Sequence, residues 1–303
     1  MTDRQWAGNT FGNGWMHRNL IRILRFVDVR LLYVFSDVFI VPVCLLLNNS
    51  RRTAFSFYHS HLGYRAIKAA WLTYRNHCLF SQVVIDRFAM YAGKKFEVEI
   101  AGEDYFKQLA TRDEGFVQLS SHVGNYEIAG YSLDSFRKRI HAVVSPLEKE
   151  SVMNNRNSMF VKTNVCMIVL RDDMSHLFEI DNALSGGDIV SFPADRHMEG
   201  ARCIEALFLG KKALFPQGPF SVATMRGVDV LSVNVMKDGV KRYKIYLTPL
   251  HYDKEAPRRA QIEQLCNSYV TELERIIRIY PTQWYNFFDF CFCKLVRSSF
   301  ISL

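Results

Sequence analysis

The chain has 303 residues, and 49% of them are hydrophobic, which is enough to build a full core and excludes a disordered protein. Its net charge of +8 favours an anionic partner, which means nucleic acid, an acidic carrier protein or the cytoplasmic leaflet of a bilayer. Because no zinc finger, aromatic RNP-type motif or helix-turn-helix pattern occurs, we expect no nucleic acid and rank an anionic membrane surface first.

Seven cysteines are scattered along the chain, which predicts buried free thiols in a reducing compartment. No Cys-x-x-Cys pair occurs, and Cys291-x-Cys293 has no second pair at zinc spacing, so we expect no metal site. The polar N-terminus has no short apolar run followed by a small-residue cleavage site, so no signal peptide is predicted.

The strongest membrane signal lies near the N-terminus. Val29–Leu47 is apolar apart from Arg30, Ser36 and Asp37, and its length would just span a bilayer. An Asp near the middle of a span costs about 2.5–3.5 kcal/mol on insertion scales, so an in-plane or re-entrant helix, or one packed on the domain, competes with a true span. Basic residues flank the segment: Arg18, Arg22, Arg25, Arg30, Arg51 and Arg52. We therefore predict a helical, membrane-associating region over residues 1–95.

A second helical stretch, 53–91, has apolar and aromatic residues at helical spacing. From about residue 96, short β-branched runs alternate with helical patterns, which predicts an α/β domain over residues 96–303. Its sheet is expected to be mixed, mostly parallel and flanked by helices. The predicted strands are 115–121, 140–145, 164–170, 188–192, 228–236 and 243–249, and the predicted helices are 125–137, 147–160, 174–185 and 257–280.

The segment 115–130 is typical of a buried strand, a tight turn and a helix. His122 stands at the carboxyl end of that strand, where open α/β sheets bind ligands. Gly124 permits a sharp turn, Asn125 is a good N-cap, and Glu127 falls in the first helical turn. We expect the turn to fold Glu127 back onto the imidazole, where a carboxylate fixes the tautomer and makes the other nitrogen a better base. A capped helix beside a buried histidine is the structural alternative.

The run from His122 to Glu127 (H-V-G-N-Y-E) resembles the H-x-x-x-x-D/E motif of the lysophospholipid acyltransferase superfamily. With Gly124 and Asn125 in the middle it looks most like the lauroyl and myristoyl acyltransferases of lipid A biosynthesis, although Tyr126 replaces their usual tryptophan. The stretches 191–196, 207–220 and 281–290 resemble further blocks of that superfamily and its offshoots. This resemblance implies that His122 is the general base and that Glu127 orients it.

Four more residues are candidates for substrate binding. Asn125 either positions the acyl thioester or caps the helix, and Asp195 with Arg196 either contacts the polar head of the acceptor or forms a surface pair. Gly218, before Pro219, offers backbone N–H groups to an oxyanion or phosphate. The stretch around Gly218 lacks the acidic, Thr and Arg positions of the P-E-G-T element of glycerolipid acyltransferases, which disfavours a glycerol-3-phosphate acceptor.

These observations predict an O-acyltransferase at the cytoplasmic face of the inner membrane, attached peripherally or by a single N-terminal anchor. It is expected to move a fatty acyl chain from acyl carrier protein or acyl-CoA, as co-substrate, to a hydroxyl or amine of a membrane lipid such as a lipid A precursor. No cofactor and no metal are expected. Two alternatives stay open: a lipid or thioester hydrolase that uses the same His–Glu pair, and a non-catalytic lipid-binding membrane protein.

Overall fold

The computed structural model describes residues 14–133, 135–145, 164–197 and 200–285. The predicted helix 147–160 and the end of the block 281–290 lie outside these described residues. The helices are α1 (Gly14–Phe26), α2 (Val29–Phe35), α3 (Val41–Leu47), α4 (Ser50–Ser56), α5 (Ala66–Tyr91), α6 (Glu103–Thr111), α7 (Glu127–Ser132), α8 (His176–Ser185), α9 (Gln217–Arg226) and α10 (Arg258–Ile279). The strands are β1 (Glu97–Ala101), β2 (Phe116–Gly124), β3 (Ile140–Val144), β4 (Val165–Val169), β5 (Ile189–Pro193), β6 (Cys203–Phe208), β7 (Lys211–Pro216), β8 (Val230–Lys237) and β9 (Arg242–Leu250).

The apolar segment near the N-terminus is helical throughout. Helices α2 and α3 are joined by a π-helical turn, Ser36–Ile40, and the Asp28 side chain caps α2 by accepting from the N–H of Arg30 at 2.9 Å. One side of this segment packs along α5, where Gln82 donates to the Asp37 carboxylate at 2.9 Å. Asp37 is therefore turned toward the protein, and the exposed face of the segment is apolar.

The helix predicted over 53–91 is divided in two. Helix α4 continues into a second π-helical turn, Phe57–His61, and the chain then leaves the helix through Gly63 at φ +71°. Arg65 is extended, with φ −58° and ψ 150°, and α5 begins after it. The apolar periodicity continues through the break because both pieces bury one face, so the pattern alone did not reveal the left-handed glycine.

A seven-stranded sheet forms the centre of the molecule, in the order β1-β9-β8-β2-β5-β3-β4. Every neighbouring pair is parallel except β8 with β9, which confirms the predicted mixed, mostly parallel sheet. All eight residues of β8 are buried, as expected for a central strand covered on both faces. Helix α10 covers one of those faces with a continuous apolar stripe that includes Leu265, Tyr269 and Ile276.

All six predicted strands are confirmed to within a few residues, but three strands were missed. Strand β1 lies at the sheet edge, and its charged, half-exposed sequence E-V-E-I-A gives little apolar signal. Strands β6 and β7 form a separate antiparallel hairpin. Its two turn residues, Leu209 and Gly210, have φ of 50° and 77°, which matches a tight turn of the kind that hairpins favour.

Helix α7 is much shorter than the predicted 125–137. It has six residues and ends at Leu133, whose backbone is extended at φ −83° and ψ 119°. The helices predicted at 174–185 and 257–280 are confirmed as α8 and α10. The N-terminal helices share the core of the sheet region, since the rings of Phe57 and Trp284 lie 5.0 Å apart. The division of the chain at residue 95 stays a prediction.

Candidate active site

The end of β2 brings His122 to the carboxyl edge of the sheet. The pairing of β2 with β8 shifts register between Ser120 and Gly124, so the strand bends at the histidine. Gly124 has φ +51°, and a Cβ there would lie 1.8 Å from the Val235 carbonyl oxygen, so only glycine fits this close approach to β8. The carbonyl of His122 accepts from the backbone N–H of Tyr285 at 2.9 Å. The backbone that carries the imidazole is thus held by β8 and by the hydrogen bond from Tyr285.

Asp195 is the acidic partner of His122. It follows β5, the parallel neighbour of β2, so the carboxyl ends of the two strands bring the side chains together. The Nδ1 of His122 lies 2.7 Å from Asp195 Oδ1, while Oδ2 accepts from the His122 backbone N–H at 2.9 Å and from Trp284 Nε1 at 3.1 Å. Asp195 is held by three donors and cannot turn away from the imidazole without losing all of them.

The charges around His122 keep both partners in the states that a base requires. Burial, and then the positive charge of Arg196, lower the pKa of His122, although the Asp195 carboxylate opposes them. Burial alone would raise the pKa of Asp195, but the charge and hydrogen bonds of His122 hold it well below its ordinary range. At neutral pH the pair is therefore a neutral imidazole beside an ionised carboxylate.

The tautomer of His122 follows from this pairing. Because an ionised carboxylate only accepts hydrogen bonds, the proton of the neutral imidazole lies on Nδ1, and Nε2 keeps its lone pair. The His122 side chain is 29% exposed while that of Asp195 is 0% exposed, and no described residue forms a hydrogen bond with Nε2. This nitrogen is consequently the one able to take a proton from a substrate.

Glu127 does not pair with His122, which corrects the expectation from the sequence. Its carboxylate accepts from the Tyr91 hydroxyl at 2.8 Å and lies 3.6 Å from Arg87 Nη1. Both of these partners come from α5, which packs beside the turn. The side chain is only 2% exposed, so Glu127 is a buried carboxylate that pairs with residues of α5.

The other predicted site residues near His122, which are Asp195, Asn125 and Arg196, differ in burial and in hydrogen-bond partners. The side chain of Asp195 is 0% exposed and pairs with His122, so the alternative of a surface pair with Arg196 is wrong, while a role of Asp195 toward an acceptor stays a prediction. Asn125 is buried and does not cap α7 with its side chain, because Tyr126 is the residue before the helix; its own N–H donates to Val235 O at 2.8 Å. Arg196 is half-buried and donates to the Tyr285 carbonyl.

Gly218 lies in the first turn of α9 and is exposed. None of the hydrogen bonds within the described ranges joins it to His122 or Asp195. Its role toward an oxyanion or phosphate stays a prediction, as do the roles of Asn125 toward a thioester and of Arg196 toward an acceptor.

Three residues of the site were not assigned to it from the sequence. Arg87 and Tyr91 hold Glu127, and Trp284 holds Asp195. Arg87 and Tyr91 lie on a long helix more than thirty residues before the motif, where the helical spacing of apolar and aromatic residues does not indicate a site. Trp284 stands in the resembling block 281–290, and this resemblance is the signal that could have pointed to it.

Neither a metal centre nor a disulfide is formed by the residues that the structure describes. No group of three or more His, Cys, Asp or Glu in those ranges is arranged to hold a metal ion. The five described cysteines are free: Cys44, Cys78, Cys166, Cys203 and Cys266. Cys44 and Cys166 are exposed, so the expectation of buried thiols holds for only part of the set. Cys291 and Cys293 lie outside the described residues.

Comparison with known proteins places the chain in a family. A solved structure, the 1-acyl-sn-glycerophosphate (LPA) acyltransferase PlsC from Thermotoga maritima, resembles the chain at 15% sequence identity and a TM-score of 0.38, over 90% of this chain and 100% of that one. No match was found among curated proteins. The family model of the bacterial lipid A biosynthesis acyltransferases matches residues 88–289, about two thirds of the sequence, including His122, Glu127 and Asp195. The chain therefore belongs to the bacterial lipid A biosynthesis acyltransferase family.

Proposed function

We propose that this protein transfers a fatty acyl chain from a thioester, acyl carrier protein or coenzyme A, to a hydroxyl group of a membrane lipid. The family supports acyl transfer to lipids. The observation that carries the proposal is the 2.7 Å contact of His122 Nδ1 with the buried Asp195, which leaves the lone pair on Nε2 of a side chain that is 29% exposed. A lipid A precursor is the acceptor that the family description favours.

The reaction needs one base and one acid, and His122 serves as both. Nε2 takes the proton of the acceptor hydroxyl while its oxygen attacks the thioester carbonyl carbon. The tetrahedral intermediate then collapses with cleavage of the carbon–sulfur bond. The imidazolium, stabilised by Asp195, returns the proton to the departing thiolate, so that an ester and a free thiol are formed.

We also place the enzyme at the cytoplasmic face of the inner membrane. The exposed face of α2, α3 and the π-helical turn between them carries large apolar side chains, among them Leu31, Phe35, Phe39, Val43 and Leu47. The flanking arginines, which are exposed, suit anionic headgroups: Arg18, Arg22, Arg25, Arg30, Arg51 and Arg52. Because the other face of the segment packs on α5 through Asp37, an in-plane helix fits these contacts better than one surrounded by lipid.

The test is a product assay with the purified chain, a radiolabelled acyl thioester and a bacterial lipid extract. We expect label in an esterified lipid, and mass spectrometry of cells with and without the protein to identify the acceptor by the loss of one acyl chain. Release of the label as free fatty acid instead would make the protein a hydrolase.

His122→Ala should lower the transfer rate by about 10²-fold or more. His141→Ala is the matched control, because His141 also bonds a carboxylate, Asp188, at 2.9 Å, but near the opposite end of the sheet. It should leave transfer unchanged. Full activity of His122→Ala would remove His122 from the mechanism, whereas membrane binding without transfer by the wild-type chain would make the protein a non-catalytic lipid binder.

A further inference from the structure

The segment 281–285, which follows α10, passes beside the strand end and the loop that carry the His122–Asp195 pair. The backbone N–H of Tyr285 donates to the His122 carbonyl at 2.9 Å. The carbonyl of Tyr285 accepts from Arg196, the residue after Asp195. A single residue of this segment is therefore bonded both to the end of β2 and to the loop after β5.

Trp284 adds a side-chain hydrogen bond to these contacts. Its Nε1 donates to Asp195 Oδ2 at 3.1 Å, while Asp195 Oδ1 lies 2.7 Å from His122 Nδ1. Trp284 is 5% exposed and the Asp195 side chain 0%, so water has little access to this bond. A buried carboxylate oxygen that loses such a donor is not easily satisfied again, and the carboxylate is then held less firmly.

The surrounding elements hold Trp284 with its N–H toward Asp195. The ring of Phe57, in the π-helical turn after α4, meets the indole edge-on with centroids 5.0 Å apart, and the ring of Phe208 from β6 meets it at 5.4 Å. From α5, Asn76 Nδ2 donates to the carbonyls of residues 282 and 284, at 3.0 Å each. The N-terminal helices therefore fix both the ring and the backbone of this tryptophan.

We propose that Trp284 is a positioning residue of the acyl-transfer site, whose indole N–H keeps the Asp195 carboxylate against His122. The N-terminal helices keep the indole in place through Phe57 and Asn76, so they take part in building the site. For its effect on rate, this inference rests on the proposed function. The alternative is a tryptophan that only fills the core, and a phenylalanine of similar shape would replace it without consequence for His122.

The proposal predicts how His122 titrates when the indole N–H is lost. The other groups with charges or ring contacts that act on the imidazole are Asp195 and Arg196 from the loop after β5, Arg87 from α5, and Tyr126 from the turn after β2. In Trp284→Phe, the positive end of the indole N–H no longer offsets the carboxylate charge beside the imidazole, so the pKa of His122 should rise.

The same variant should lose rate rather than affinity. Because one of the three donors that orient Asp195 is gone, we expect the turnover number of Trp284→Phe to fall by about tenfold, while the KM for the acyl thioester changes little. Asn76→Leu keeps the indole but removes the two bonds that hold its backbone. It should give a smaller change of the same sign in both the rate and the titration.

The experiment combines steady-state kinetics with NMR titration of the histidine-labelled full chain, in which the His122 signal is assigned by its loss in His122→Ala. The matched control is Tyr252→Phe, which also removes one donor, since the Tyr252 hydroxyl donates to the Val228 carbonyl at 2.9 Å near the opposite edge of the sheet. It should leave the rate and the titration unchanged. Because the titration requires no turnover, it tests the positioning role even if the protein transfers no acyl chain.

Two outcomes would overturn the proposal. If Trp284→Phe keeps the wild-type rate and the wild-type titration of His122, the indole only fills the core. If the variant raises the KM and leaves both the turnover number and the titration unchanged, the indole contacts substrate instead of positioning Asp195.

A measurement on the wild-type chain decides the question if Trp284→Phe does not fold. The indole N–H signal of Trp284 is assigned by elimination, with phenylalanine placed in turn at each of the other three tryptophans. Since the indole is bonded to the partner of His122, its signal should shift with pH at the same midpoint as the His122 signal. A Trp284 signal that does not respond while His122 titrates would contradict the positioning role.

Discussion

At the scale of single residues, Asp195 determines which nitrogen of His122 carries the proton. Oδ2 accepts two donors, the His122 N–H and Trp284 Nε1, so an asparagine at 195 would place its oxygen there and its amide nitrogen against Nδ1. The amide would then donate to Nδ1, and the imidazole proton would move to Nε2. We expect Asp195→Asn to fold normally and to lose roughly 10²-fold or more in turnover.

Acyl transfer by Asp195→Asn is to be measured beside Tyr91→Phe, which removes one hydrogen bond from Glu127 but none from the imidazole. The second variant should keep most of its turnover. Equal losses in the two variants would show that Asp195 has no special position, and a fully active Asp195→Asn would remove the His–Asp pair from the mechanism.

The state of His122 also predicts how activity depends on pH. The base is the neutral imidazole, and burial together with Arg196 lowers its pKa below the ordinary value of 6.5. The ratio kcat/KM should therefore rise with pH, reach half its maximum below pH 6.5, and approach its plateau by neutrality. A profile whose midpoint lies above that value would mean that a different group, or a protonated His122, limits the reaction.

At the scale of elements, α5 links the N-terminal helices to the sheet through a buried charge pair. Asp86 accepts from Lys237 Nζ at 2.6 Å and from the hydroxyls of Tyr33 on α2 and Tyr243 on β9. Both charged side chains are nearly inaccessible, at 0% and 4% exposure. Burial raises the pKa of Asp86 and lowers that of Lys237, so neither charge is stable there without the other.

Removing one charge of this pair should destabilise the fold strongly. Lys237→Met leaves Asp86 buried without its cation, and we expect a loss of roughly 3–5 kcal/mol in the free energy of unfolding. Asp86→Asn added to it should restore a large part of that loss, because the amide oxygen still accepts from the two tyrosines. The midpoints of denaturant unfolding measure this loss. The control is Lys212→Met, because Lys212 forms an exposed ion pair with Glu205, and this variant should hardly change the stability. Equal stability of the two methionine variants would contradict a structural role for the pair.

At the scale of the whole molecule, the sequence predicted the sheet better than the site. Periodic apolar runs located six of the strands, since buried strands of a parallel sheet have strong patterns. His122 was found because its motif is local. Its partner Asp195 is 73 residues away along the chain, and only the pairing of β2 with β5 brings the two side chains together. The expected turn and the motif resemblance pointed instead to Glu127, which lies near His122 along the chain. Nothing in the sequence around Arg87 on α5 indicated that it contacts the turn.

The exposed apolar face of α2 and α3 predicts how the entire chain binds membranes. Phe35 and Phe39 are 53% and 62% exposed and stack on each other at 5.4 Å, so both would enter the headgroup boundary together. Burying a phenylalanine gains about 1.5–3 kcal/mol, so changing both to Glu should weaken vesicle binding by at least about tenfold.

Flotation with vesicles that contain anionic lipid measures this binding. Wild-type chain should float, and should float less well in high salt, because the flanking arginines contribute attraction that ions screen. The matched control is Phe178→Glu, since Phe178 on α8 is 76% exposed but lies outside the N-terminal face. It should bind like the wild type. If the double variant floated as well as this control, the membrane would have to be bound by some other surface, and the in-plane placement of α2 and α3 would be wrong.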